Sequence, residues 1–166
     1  RPVAEPSPSP TQKWVPFDIE NEPTVIRALT GCDTAFYLLH AMSMSGDFEQ
    51  RESAWAQSFA RIAAQCGVRR IIYLGGIEPS GAPSKHLRSR LKTGDILRNS
   101  GVSTVELRAG MIVGVGSESW NIVRDLAIRP PAMVLPKWLC NSSEPVAIED
   151  VVAEERRLRI DNRASG

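Results

Sequence analysis

Residues 69–109 read RRIIYLGGIEPSGAPSKHLRSRLKTGDILRNSGVSTVELRA, and this stretch decides the fold. It opens on RRIIYLGG (69–76), a short apolar run closed by glycines, the pattern of a strand buried on both faces. The turn-rich IEPSGAPS follows. A charged segment then keeps helical character from about Lys85 to Arg98, and Asn99-Ser100-Gly101 ends it. STVELRAGMIVG (103–114) is the next strand, with a glycine-rich exit. Strand, helix and strand in this order predict two parallel strands joined by a right-handed crossover.

The same alternation extends outward. Upstream, TAFYLLH (34–40) is another continuous apolar run and reads as a strand covered on both faces. A helix from about Phe48 to Cys66 follows it. There Trp55, Phe59, Ile62 and Cys66 form one apolar stripe, and Gly67 stops the helix. NEPTVIRALTGC reads as a short helix with Asn21 as its cap, Pro23 in its first turn and Gly31 at its end. KWVPFDI (13–19) is a strand candidate, kept to an edge or an irregular form by Pro16. Downstream, ESWNIVRDLAI reads as a helix, RPPAMVLPKW is broken by prolines, and a further helix starts at Ile148. Strands alternating with helices predict an α/β fold, a parallel sheet with helices on both faces. Residues 13–153 form the expected domain. Residues 1–12, rich in Pro and Ser, precede it as an exposed connection, and 154–166 follow as a polar tail.

The composition suits this reading. The chain has 166 residues, 42% hydrophobic and 23% charged, with net charge +1. That is enough for one domain with a core, and it gives no strong pull toward nucleic acid or membrane. No apolar run approaches the roughly 18 residues of a membrane span. Cys32, Cys66 and Cys140 lack metal-like spacing and read as reduced thiols of a cytoplasmic protein. No metal site is expected.

Open parallel sheets bind ligands at the carboxyl ends of their strands. That rule gathers Asp18-Ile19, His40 to Met44, Gly75 to Pro79 and Ala109 to Gly116 into one region. A dinucleotide site also needs a glycine-rich turn between its first strand and helix, where backbone N–H groups meet the pyrophosphate. No such turn follows any strand here. The chain starts with Arg1 rather than Met, so the expectation is that the first unit lies upstream.

The ordered pieces FDIENEPTVIRALTGCDTAFYLLHAM, GDFEQRESAWAQSFARIAAQCGVRRIIYLGG, HLRSRLKTGDILRNSGVSTVELRAGMIVGVGS and PVAIEDVV run from about Trp14 to Val152. In that order they resemble the atypical short-chain dehydrogenase/reductase superfamily. The branch is that of NmrA-like and NAD-dependent epimerase/dehydratase-like proteins, including predicted nucleoside-diphosphate-sugar epimerases. The resemblance implies a Rossmann-type doubly wound sheet, truncated at its N-terminus by about one βαβ unit. It also implies NADP or NAD as cofactor, with a slight preference for NADP because Arg1-Pro2 matches the end of the family's second strand.

By the same resemblance, Asp18 and Ile19 approach the adenine; read from the residues alone, Asp18 equally suits a cap of the next helix. His40, Ala41 and Met42 match the loop over the adenosine ribose and pyrophosphate. Gly75 and Gly76 stand where many relatives carry a catalytic serine; they have no hydroxyl, and their backbone is left to line the nicotinamide pocket. His86 and Arg90 occupy the places of a catalytic Tyr and Lys four residues apart. Histidine does acid–base work near neutrality, and a nearby arginine depresses its pKa. Arg90 suits a phosphate or ribose contact. The bland alternative is a solvated basic face, since Lys85, Arg88 and Lys92 share the helix. Ala109, Gly110, Met111 and Ile112 match the segment beside the nicotinamide ribose. Trp120, Met133 and Trp138 belong to the variable substrate lobe. The implied function is an NAD(P)-dependent oxidoreductase or epimerase-like enzyme acting on an unidentified small molecule. The alternatives are an NAD(P)-binding sensor or regulator without turnover, or a fragment that binds nothing.

Overall fold

The computed structural model describes residues 13–41, 47–79, 81–114, 121, 124 and 145–164. Its elements run α1 (Glu22–Leu29), β1 (Thr34–Tyr37), α2 (Phe48–Gln65), β2 (Arg70–Gly76), α3 (Lys85–Arg98), β3 (Ser103–Ala109), β4 (Met111–Val113), β5 (Pro145–Ala147) and α4 (Ile148–Ala164). β1, β2 and β3 form one parallel sheet in that order, with Tyr37 opposite Tyr73 and Gly76 opposite Ala109. β4 and β5 form a second parallel pair. Of the expected helix near 120, only Asn121 and Arg124 are described, both helical. Residues 1–12, Met42, Trp120, Met133, Trp138 and Cys140 lie outside the described residues.

Side chains alternate between the two faces of a strand. Ala35, Tyr37, Ile71 and Tyr73 share one face and enter the core with Val25 and Leu29 of α1, Phe59 and Ile62 of α2, and Leu97 of α3. Three aromatic rings sit at its centre. Tyr37 meets Phe59 edge-on at 4.9 Å and Tyr73 at 6.0 Å between centroids. Arg70 and Ile72 face the other way. Ile72 is fully buried there, and Arg70 Nη1 donates to the Leu158 carbonyl of α4 at 2.9 Å. Helices therefore cover both faces of β2.

Helix boundaries follow local chemistry. Ser84 caps α3 by accepting from the Leu87 N–H at 3.2 Å, and Asp47 caps α2 by accepting from Gln50 N at 3.4 Å. Each of the first three helices runs into a glycine at positive φ: Gly31, Gly67 and Gly101. A left-handed residue at this position turns the chain back toward the sheet, and glycine takes it without a Cβ penalty.

Four readings change. Lys13–Ile19 is not a strand. Pro16 cannot donate to a ladder, and Trp14 is 71% exposed, so the segment has neither the hydrogen bonds nor the burial a strand needs. β1 is shorter than expected and buried on one face only. Among the described residues no element covers its second face, so Phe36, and Leu38 just beyond the strand, stay exposed. An apolar groove of about 350 Å³ runs along it, lined by Phe17, Cys32, Phe36 and Leu38 among others. The single strand expected over 103–114 breaks at Gly110, where the chain leaves one sheet for the other. Finally, α4 continues through most of the stretch read as a polar tail, to Ala164.

Candidate functional site

The carboxyl ends of β1 and β2 meet the N-terminal half of α3. Arg90 is the hub. Its Nη2 donates to the Leu74 carbonyl of β2 at 3.0 Å, and its own carbonyl accepts from the Tyr73 hydroxyl at 2.9 Å. Its Nε is buried with no partner. His40, just beyond β1, is close enough to feel this cation. Partial burial holds its ring below the ordinary histidine pKa, the Arg90 guanidinium lowers it further, and Glu52 opposes both. The neutral imidazole is therefore the favoured form.

Behind His40 lies a buried polar contact. Ala41 is buried and donates its N–H to Glu52 Oε1 at 2.9 Å. Glu52 Oε2 accepts from the Ser89 hydroxyl in a short contact. Glu52 and Ser89 are only 5% and 1% exposed. One carboxyl group thus joins the loop after β1 to α2 and α3. Sequence reading missed both residues, although a signal was present. Glu52, Ala56, Phe59 and Ala63 repeat the 4, 3, 4 spacing of a buried stripe, and all four are buried. A glutamate within such a stripe needs a partner.

The other candidates fall as follows. His86 is exposed and stacks on Phe48 at the start of α2, ring centroids 4.7 Å apart and planes 17° apart. Lys85 Nζ lies 4.9 Å from the same ring. The 86/90 pair is divided: His86 turns to Phe48, Arg90 to the end of β2. Asp18 sits in the turn into α1. Its Oδ1 accepts from Glu20 N at 2.9 Å, and its carbonyl accepts from Asn21 N and the Thr24 hydroxyl. Asn21 itself makes no side-chain cap. Ile19 packs half-buried against the core. Ala109 closes β3, Gly110 is exposed at the break, and Met111 and Ile112 lie half-buried in β4.

Gly75 and Gly76 are buried, and neither has room for a side chain. A Cβ on Gly75 would overlap Glu106 Oε1, and one on Gly76 would come within 2.5 Å of Leu87 Cδ1. Gly94 of α3 meets the same Glu106 oxygen, at 2.7 Å from its would-be Cβ. The Glu106 side chain is 5% exposed; its Oε2 faces Arg98 and, at 3.3 Å, Arg108, while Oε1 is buried without a partner. Among the described residues no cluster of His, Cys, Asp or Glu could hold a metal ion. Among them, too, no helix is long and apolar enough to cross a membrane.

The lowered His40 pKa gives a pH prediction. Below an ordinary histidine pKa of about 6.5, the unfolded chain takes up a proton that folded His40 resists. His40 therefore contributes stability above that pH, and the contribution is lost as pH falls toward the lowered folded value. Urea unfolding across this window should show stability falling with pH, and His40→Gln should flatten the slope. An unchanged slope in the variant would place its source elsewhere.

No family model matches the chain, and no curated protein does. Solved structures do. The dTDP-glucose 4,6-dehydratase of Streptomyces venezuelae, a double mutant with NAD bound, superposes with a TM-score of 0.51 at 16% identity. The match covers 67% of this chain and 43% of that one.

The fold is of the Rossmann type.

Two other solved structures are similar. Triphenylmethane reductase of Citrobacter sp. in complex with NADP(H) gives a TM-score of 0.49 at 15% identity, over 58% of this chain and 33% of that one. The NADPH-dependent quinone oxidoreductase of Escherichia coli in complex with NADPH gives 0.47 at 22%, over 58% and 32%. The present chain spans about a third of the length of these two structures.

Proposed function

We propose that this chain is part of an NAD(P)-binding protein of the atypical short-chain dehydrogenase/reductase class, of the oxidoreductase or epimerase-like type. One observation carries the reading: Arg90, with a buried Nε that has no partner, binds the Leu74 carbonyl at the carboxyl end of β2, and His40 lies in the segment that leaves the carboxyl end of β1. This is where an open α/β sheet takes its ligand. The dinucleotides bound in the similar structures support the choice of ligand, and two of the three are NADP(H).

The residues fit the cofactor in part. Arg90 carries a cation with an orphaned Nε, suited to an anionic or hydroxyl-bearing group. Ala41, Gly75 and Gly76 offer backbone and little bulk. No glycine-rich phosphate turn stands in this sequence. When bound, the nicotinamide supplies hydride chemistry, and the protein supplies orientation and exclusion of water. Of the two histidines, His40 is the better placed to hold or pass a proton, since it follows the carboxyl end of β1 and is favoured in its neutral form, whereas His86 is stacked on Phe48.

The stacking of His86 on Phe48 favours a second reading, NAD(P) binding without turnover. A ring engaged on a phenylalanine, beside glycines with no hydroxyl, offers little of the usual proton relay. The test is a fluorescence titration with NADPH, on this chain and on the longest natural form that contains it. Saturable binding is expected with Kd below about 1 mM, the scale of a weak specific site. Arg90→Met should weaken it about tenfold, as loss of a charged hydrogen-bond donor does. His86→Ala should change it by less than about tenfold, since stacked exposed rings contribute roughly 1 kcal/mol. Absence of saturation in both forms would overturn the proposal. Carbonyl-dependent NADPH oxidation would separate the enzyme from the sensor.

A further inference from the structure

We infer that Glu52 is a positioning residue: its buried carboxyl group sets where the His40–Ala41 segment sits relative to α3, and so tunes ligand affinity without touching ligand. The inference deepens the proposed NAD(P) reading and rests on it for the affinity arm only. Glu52 contributes little to the core as an apolar group would. It is 5% exposed in a face otherwise made of Ala56, Phe59 and Ala63. An apolar side chain of similar size would serve packing as well or better, because a buried carboxyl group must recover its desolvation cost through hydrogen bonds. Both of its oxygens are used, and they reach two different segments. Oε1 holds the Ala41 N–H at 2.9 Å, and Oε2 holds the Ser89 hydroxyl.

The geometry explains what is being fixed. Ala41 follows His40, and Ser89 precedes Arg90. The two anchored residues are therefore the direct chain neighbours of His40, in the segment that leaves β1, and of Arg90, which binds the end of β2. A shift of the 40–41 segment changes where the imidazole stands relative to α3. Hydrogen bonds accepted by both oxygens of one carboxyl group resist such a shift, and removing that group leaves a buried N–H and a buried hydroxyl without partners.

The test compares Glu52→Leu, Glu52→Gln and Ser89→Ala in the full chain, by amide hydrogen exchange and by NADPH titration. Glu52→Leu keeps the bulk and removes the acceptors. Exchange at Ala41 should rise about tenfold or more through local opening, while the amides of Ile71 and Ile72 in β2 keep their protection. NADPH affinity should fall about tenfold. Glu52→Gln keeps an acceptor for Ala41 and a donor for the Ser89 oxygen, and it should restore both readouts to within about threefold. If Ala41 and the β2 amides lose protection together, or if Glu52→Leu leaves Ala41 protected, Glu52 is only a core residue and the inference fails. If the wild-type chain binds no NADPH, the functional reading falls and the exchange comparison still decides the role of Glu52. Should Glu52→Leu not fold, Ser89→Ala makes the same comparison by cutting one link alone, with a smaller local rise at Ala41 as the expected result and none as the overturning one.

Discussion

Phe59→Ala is expected to lower the unfolding free energy by about 3–5 kcal/mol, the range for deleting a buried aromatic ring. Phe59 is 3% exposed at the centre of the core. Its ring supports Tyr37 at 4.9 Å, and Tyr37 in turn meets Tyr73. Tyr73 binds the Arg90 carbonyl through its hydroxyl, so the aromatic row ends at the candidate site. The cavity left by Phe59 would open under β1, which pairs with β2 alone among the described residues. Small domains are stable by only about 5–15 kcal/mol, so the loss would be a large part of the whole. Urea titration followed by tyrosine fluorescence measures it. A loss below about 1 kcal/mol would mean that the ring is not the centre of the core, since surface changes are of that size.

Gly94→Leu should cost about 3 kcal/mol, at the upper end of what overpacking produces. A side chain at 94 points at Glu106, whose carboxyl oxygen already lies 2.7 Å from the position of the first added carbon. Glu106 cannot swing away, because Arg98 and Arg108 hold its other oxygen. The helix would have to lift from β3 and carry Arg90 with it. The cause is specific, and a double-mutant cycle can isolate it. Glu106→Ala clears the space a leucine needs, so Gly94→Leu with Glu106→Ala should recover at least about half of the loss. Strict additivity of the two changes would show that α3 is destabilised for some other reason.

Much of this architecture is legible in the chain. The end of α3 was legible in Asn99-Ser100-Gly101, because a stop is local chemistry that needs no neighbour; the Ser84 cap at its start is what the structure adds. β2 was legible for a related reason: a strand covered on both faces must be apolar throughout. Segments whose state depends on a neighbour were misread. Lys13–Ile19 has strand-like residues but no strand beside it among the described residues, and β1 has apolar residues on a face that stays exposed. The polar pattern of 154–164 gave no sign that α4 would continue so far.

The candidate site divides in the same way. Convergence of His40, Gly75 and Ala109 toward the carboxyl ends of the strands follows from strand order alone, whereas Arg90 came only from the family resemblance. The division of His86 from Arg90 could not be seen, since both share one helical face and only Phe48, brought in from α2, separates their roles. Glu52 and Ser89 stand 37 positions apart and meet only when α2 packs on α3. The signal that survives in sequence is the incongruity of a glutamate on an apolar stripe.

The two ends of the sheet differ in one further respect. At the amino ends of β1, β2 and β3 the incoming connections are 30–33, 66–69 and 99–102, each with its positive-φ glycine. At the carboxyl ends the chain takes 38–47 and 77–84 to leave β1 and β2. The molecule therefore has a stiff end and a permissive end. Inserted residues, a new pair of termini or a grafted loop should be accepted between 77 and 84 and refused between 66 and 69, where the chain has no slack to give. New chemistry can accumulate over the strand ends without the sheet being rebuilt, because the short connections that feed the strands enter from the opposite side.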